Sequence, residues 1–133
     1  IGELSRRGVL LALASSSSSQ NVNLFLESSG TRKFFKIILS GDDIKKPKPD
    51  PEIFQVARKS LGLKSSECLV VEDSENGIRS AKAAGINAIG VLGENNQKDF
   101  ELFGVTRVIT KLDELLMFSE FQNSVINQVN SYN

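Results

Sequence analysis

Histidine and tryptophan are absent from this 133-residue sequence, and cysteine, methionine and tyrosine occur once each. Without histidine, acid–base chemistry must fall to carboxylates, to lysine or to groups outside the chain. The lone cysteine, Cys68, excludes an intrachain disulfide and fits a reducing, cytoplasmic setting. The longest apolar run is the six residues 9–14, far short of the ~20 that cross a bilayer. Charge is not skewed either. Sixteen basic and 16 acidic residues cancel, which removes any general pull toward nucleic acid or an anionic membrane. No signal peptide is readable, and Ile1 in place of methionine reads as a trimmed or truncated chain. No Gly-x-Gly-x-x-Gly follows a strand, which argues against a dinucleotide binder.

What is present is an alternation of short apolar runs with helical patterns, the signature of a parallel α/β sheet. With 40% hydrophobic residues the chain can bury one core. Strands are expected at residues 9–14, 35–39, 68–71 and 87–92, with a weak one at 107–109. Between the first two, Val22, Phe25 and Leu26 recur at helical spacing and Gly30 stands where a helix stops. All three prolines fall within residues 47–51, an extended approach to a helix capped by Asp50 and carrying Ile53, Phe54, Ala57 and Leu61. Ser74 caps a helix ending at Gly85, a short helix follows near residues 97–103, and Thr110 opens another to about Phe118. These elements make residues 1–118 one core. The tail, 119–133, spaces Phe121, Val125, Val129 and Tyr132 helically but is rich in asparagine, so it reads as a marginal amphipathic helix.

Three polar clusters sit where strands end, the place where ligands collect in such sheets. Ser15, Ser16 and Ser17 follow the first strand, and their hydroxyls and N–H groups suit phosphate oxygens as well as plain N-capping. Lys46, ahead of Pro47 and Pro49, could neutralise a transferring phosphoryl group, or be one more surface lysine beside Lys45 and Lys48. Glu72 and Asp73 emerge from a buried strand, where adjacent carboxylates cost desolvation unless compensated. They suit Mg2+, though an acidic strand-to-helix turn has the same composition.

The order of the three clusters is more specific than any one of them. Lys46-Pro47-Lys48-Pro49-Asp50-Pro51-Glu52-Ile53-Phe54 and Val70-Val71-Glu72-Asp73-Ser74-Glu75-Asn76-Gly77-Ile78, with strand-then-serine before them, resemble motifs of the haloacid dehalogenase superfamily. Within it the β-phosphoglucomutase-like branch is the nearest in pattern. The resemblance implies a three-layer Rossmann-like α/β core and Mg2+-dependent phosphoryl transfer on a small phosphorylated metabolite or sugar phosphate. It assigns phosphoryl binding to Ser15, with Ser16 and Ser17 assisting, and pairs Lys46 with the phosphoryl group and the nucleophile. Asp73 would ligate Mg2+, with Glu72 a neighbouring or water-mediated ligand.

Two departures follow from the same comparison. The family's Asp-x-Asp-Gly-Thr motif, which supplies the nucleophile on a central strand, is absent, and no Asp-x-Asp occurs anywhere. The core is therefore expected to be incomplete: either the first and third strands pair directly, or another copy or a missing amino-terminal segment fills the slot. Ser18 and Ser19 also stand where the mutases resemble lysine and asparagine, which leaves phosphatase and mutase both open. An inert fragment or binding module of the same fold is the reading from another class.

Overall fold

The computed structural model describes residues 1–93, 97–105, 107–122 and 127–130. Helix α1 (Gly2–Arg6) precedes strand β1 (Leu11–Ala14), followed by α2 (Ser19–Ser29), β2 (Phe35–Leu39), α3 (Glu52–Leu61) and β3 (Cys68–Glu72). After these come α4 (Glu75–Ala83), β4 (Asn87–Val91), α5 (Gln97–Leu102), β5 (Val108–Ile109), α6 (Ser119–Gln122) and β6 (Asn127–Asn130). A 3-10 helix, Leu112–Met117, stands where the sequence predicts a helix from Thr110. Five strands fall where the apolar runs place them, within two residues at each end. Helix α1 has no counterpart in the sequence reading, because its single buried residue, Leu4, leaves no periodicity to detect.

The strands form one parallel sheet in the order β2-β1-β6-β3-β4-β5. Alternation along each strand divides the core between two faces. Leu11, Leu13, Leu69 and Val71 meet Leu4 of α1, Val22 and Leu26 of α2, and Leu115 and Phe121. Ala12, Ala14, Cys68 and Val70 meet Ile53, Phe54 and Ala57 of α3 and Ala81 of α4. The small alanines of β1 leave room on that side for Phe54, which is fully buried. Arg7 ties α1 across the chain, donating to the carbonyls of Leu116 and Phe121 at 3.4 and 3.2 Å. Among the described residues no helix is long and apolar enough to cross a membrane.

The tail departs from expectation. Only Ser119–Gln122 is helical, and Asn127–Asn130 is a strand, while Val125 and Tyr132 lie outside the described residues. Neither expected arrangement of the central slot is found, since the chain's own β6 lies there. It pairs with β1 through Leu11↔Gln128 to Leu13↔Asn130 and with β3 through Cys68↔Asn127 to Val71↔Asn130. The physical reason is a competition between weak local preference and strong backbone demand. Asparagine favours helix poorly, whereas a position between two strands satisfies backbone donors and acceptors on both sides.

Candidate active site

The site lies at the carboxyl ends of β1 and β3. Glu72, the last residue of β3, shares a face with Cys68 and Val70 and so turns toward α3 and α4 rather than outward. It is fully buried. Its Oε1 accepts from the Asp73 N–H at 3.1 Å, the Ser74 N–H at 3.2 Å and the Ser74 hydroxyl at 3.0 Å. Its Oε2 accepts from the Lys48 ammonium at 3.0 Å. Space for this carboxyl comes from Gly77 on the first turn of α4: a Cβ there would lie 1.9 Å from Glu72 Cδ.

Lys48 reaches the same point from the segment between β2 and α3, through a cis Lys48–Pro49 peptide bond. Its side chain is 2% exposed, and besides Glu72 its ammonium donates to the Ala14 carbonyl at 3.1 Å and sits 4.9 Å from the centre of the Phe54 ring. The ammonium therefore bridges the ends of β1 and β3. Burial pushes its pKa below the ordinary lysine value, opposed by the Glu72 carboxylate.

Lys46, the lysine the sequence reading favours, is exposed. The reason is Glu52 at the start of α3, whose carboxylate accepts from the Lys45 and Lys46 N–H groups at 2.9 and 2.8 Å and fixes that backbone at the surface. Lys48, read from the sequence as one more surface lysine, is the one that the structure buries. Lys-Pro occurs twice, two residues apart, so the sequence carries a signal for a lysine but not for which one.

The serine loop is brought to the same opening. Ser15 is buried; its N–H donates to the Leu39 carbonyl at 3.0 Å, its hydroxyl accepts from the Ser17 N–H at 3.1 Å, and among the described residues nothing accepts from that hydroxyl. Ser18 caps α2, accepting from the Asn21 N–H at 3.3 Å. Ser16 is exposed, and among the described residues nothing accepts from its N–H. An opening of about 380 Å3 is lined by Ser16, Pro47, Lys48, Ser74, Glu75 and Asn76.

Residues 1–91 match the family described as haloacid dehalogenase-like hydrolase. The chain belongs to that family. It is 36% identical over 117 residues to the bifunctional riboflavin kinase/FMN phosphatase of Arabidopsis thaliana, covering 87% of this chain and 29% of that one. To the phosphoglycolate phosphatase of Salmonella choleraesuis it is 35% identical over 91 residues, 68% of this chain and 36% of the relative. Among solved structures, CbbY of Rhodobacter sphaeroides in complex with xylulose-(1,5)bisphosphate matches with a TM-score of 0.77 at 32% identity, covering 86% of this chain and 52% of that one. A chain named for β-phosphoglucomutase, from Thermotoga maritima, matches at 0.77 and 30% identity, over 81% of this chain and 51% of its own. The chain thus spans from under a third to about half the length of the relatives it matches.

The Mg2+ that the family implies meets a divided donor set. Both Glu72 oxygens are engaged by Lys48 and by the β3–α4 turn, which disfavours direct coordination of a metal by Glu72. Asp73 fits. It is exposed at the rim, and its carboxyl is pushed above the ordinary aspartate value by local desolvation and by Glu72 alongside, a strain that a cation relieves. Among the described residues no three acidic, cysteine or histidine groups converge as a complete cage. Mg2+ commonly takes one or two carboxylates and keeps its waters.

Proposed function

We propose that this chain is the phosphate-holding part of a phosphatase or phosphomutase acting on a small phosphorylated metabolite. The observation that carries the reading is the Lys48 ammonium, desolvated and fixed between the ends of β1 and β3. A cation held there offsets charge on a phosphoryl group without reorganising, worth several kcal/mol in a water-poor site. Ser15 would donate its hydroxyl proton and Ser16, which lines the opening together with Lys48, its N–H to phosphoryl oxygens. Asp73 would hold Mg2+, which when bound supplies further positive charge to the phosphoryl oxygens.

The nucleophile is the missing part. Glu72 is fully engaged, and an attacking carboxylate would have to come from outside the described residues. The chain alone is therefore expected to bind phosphate and not to turn over an aryl phosphate in Mg2+. Turnover that copurifies with the chain and disappears in Lys48→Met would overturn this. Asp73→Asn is expected to weaken Mg2+ binding by calorimetry, and unchanged affinity would remove Asp73 from the metal. A second reading, a binding module without catalysis, is favoured by β6, which closes the sheet with the chain's own residues.

A further inference from the structure

The end of β2 and the loop after it hydrogen-bond to the serine loop at Ser15, Ser17 and Ser19. Beyond the Ser15–Leu39 bond, the Gly41 N–H donates to the Ser17 carbonyl at 2.7 Å, and Asp42 Oδ2 accepts from the Ser19 N–H at 2.8 Å. Gly41 lies so close that a Cβ would stand 2.6 Å from the Ser16 carbonyl oxygen. Asp42 is itself held, its N–H donating to the Ser40 hydroxyl at 3.2 Å while Ser40 donates to Asp43 at 2.8 Å. The first helical N–H of α2 is thereby closed by a carboxylate two positions from the loop that offers Ser15, Ser16 and Ser17.

We infer that Asp42 is a positioning residue with two opposed effects on that loop. By accepting from Ser19 it fixes the direction in which the loop presents its donors. By placing a negative charge at the α2 N-terminus it lowers the attraction of that helix end for an anion. The device would set phosphate affinity below what the same loop could reach, which favours release of a phosphate product. This rests on the phosphate reading of the serine loop, and it concerns a residue that touches no phosphate itself.

The two effects separate in two substitutions. Asp42→Asn keeps an acceptor oxygen for Ser19 and removes the charge, whereas Asp42→Ala removes both. Titrating inorganic phosphate into the 133-residue chain, followed at the Ser16 and Ser19 amides by nitrogen-correlated NMR, reads each effect. Asp42→Asn is expected to bind phosphate about two- to fivefold more tightly than wild type, with the gap closing as salt screens the charge. Asp42→Ala is expected to bind more weakly, with faster hydrogen exchange at Ser19. If wild type shifts at Ser16 while both variants bind alike, or Asp42→Asn binds more weakly, the role of Asp42 is overturned and the phosphate site stands. If wild type shows no phosphate-dependent shift at Ser16, the site reading falls and the inference with it.

Discussion

The Lys48 ammonium and the Glu72 carboxylate meet at 3.0 Å with side-chain exposures of 2% and 0%, an ion pair almost without solvent. Removing one partner from such a pair costs about 3–5 kcal/mol, chiefly because the other charge stays buried alone. Lys48→Ala should therefore lower unfolding free energy by about that amount, while Lys46→Ala should change it by less than about 0.5 kcal/mol. Urea denaturation of both variants measures the difference. Equal losses would mean that the buried lysine has been misassigned.

Gly77 should tolerate no side chain as long as Glu72 is in place. A methyl group there would overlap the Glu72 carboxyl, so Gly77→Ala should destabilise by at least about 1–3 kcal/mol despite the higher helix propensity of alanine. In a Glu72→Ala background the same change should cost much less, because the clashing group is gone. A double-mutant cycle by thermal or urea unfolding tests this, and strict additivity would count against the steric account.

Stability should respond to acid through α1. Glu3 accepts from Arg6 at 2.7 and 2.8 Å and from Arg7 at 2.9 Å, and these partners lower its pKa to about 2 from 4.5. A folded pKa below the unfolded one means that the contribution is complete above about 4.5 and fades as pH falls through about 2. Glu3→Gln should thus be less stable than wild type at neutral pH, with the gap vanishing near pH 2. A pH series of urea midpoints reads it, and a gap independent of pH would remove the carboxylate from the explanation.

Cys68 offers a probe of opening. It is 5% exposed on the α3 side of β3, and burial raises its thiol pKa, so both access and thiolate fraction are low in the folded state. Labelling by a soluble alkylating reagent should be slow and should accelerate with denaturant in step with global unfolding. Rapid labelling in buffer would show that β3 frays locally.

Much of this architecture could be read from residues 9–14, 35–39, 68–71 and 87–92, because a parallel sheet covered on both faces leaves continuous apolar runs. Glu72 and Asp73 stand out in the sequence for the complementary reason, that two acids ending such a run need a partner, but nothing local shows that the partner of Glu72 is Lys48. Lys48 itself does not stand out, since two Lys-Pro pairs are equivalent in spacing and only the contact of Glu52 with the preceding backbone separates them. The strand Asn127–Asn130 was hidden more deeply. Its composition suggests neither helix nor sheet strongly, and what decides it is a position between β1 and β3 that no local pattern encodes. Asp42 escaped notice because a single acid in a loop has no periodicity at all.

The position of β6 also dictates an order of events during synthesis. It follows the other five strands in the chain yet lies in the interior of the sheet, between β1 and β3. As the polypeptide emerges from the ribosome, β1 with β2, and β3 with β4 and β5, can assemble as two separate leaves. They cannot be joined through β6 until it has cleared the exit tunnel. At about 5–20 residues per second, the seconds between completion of β3 and delivery of β6 leave two apolar strand edges open to chaperones or to neighbouring nascent chains.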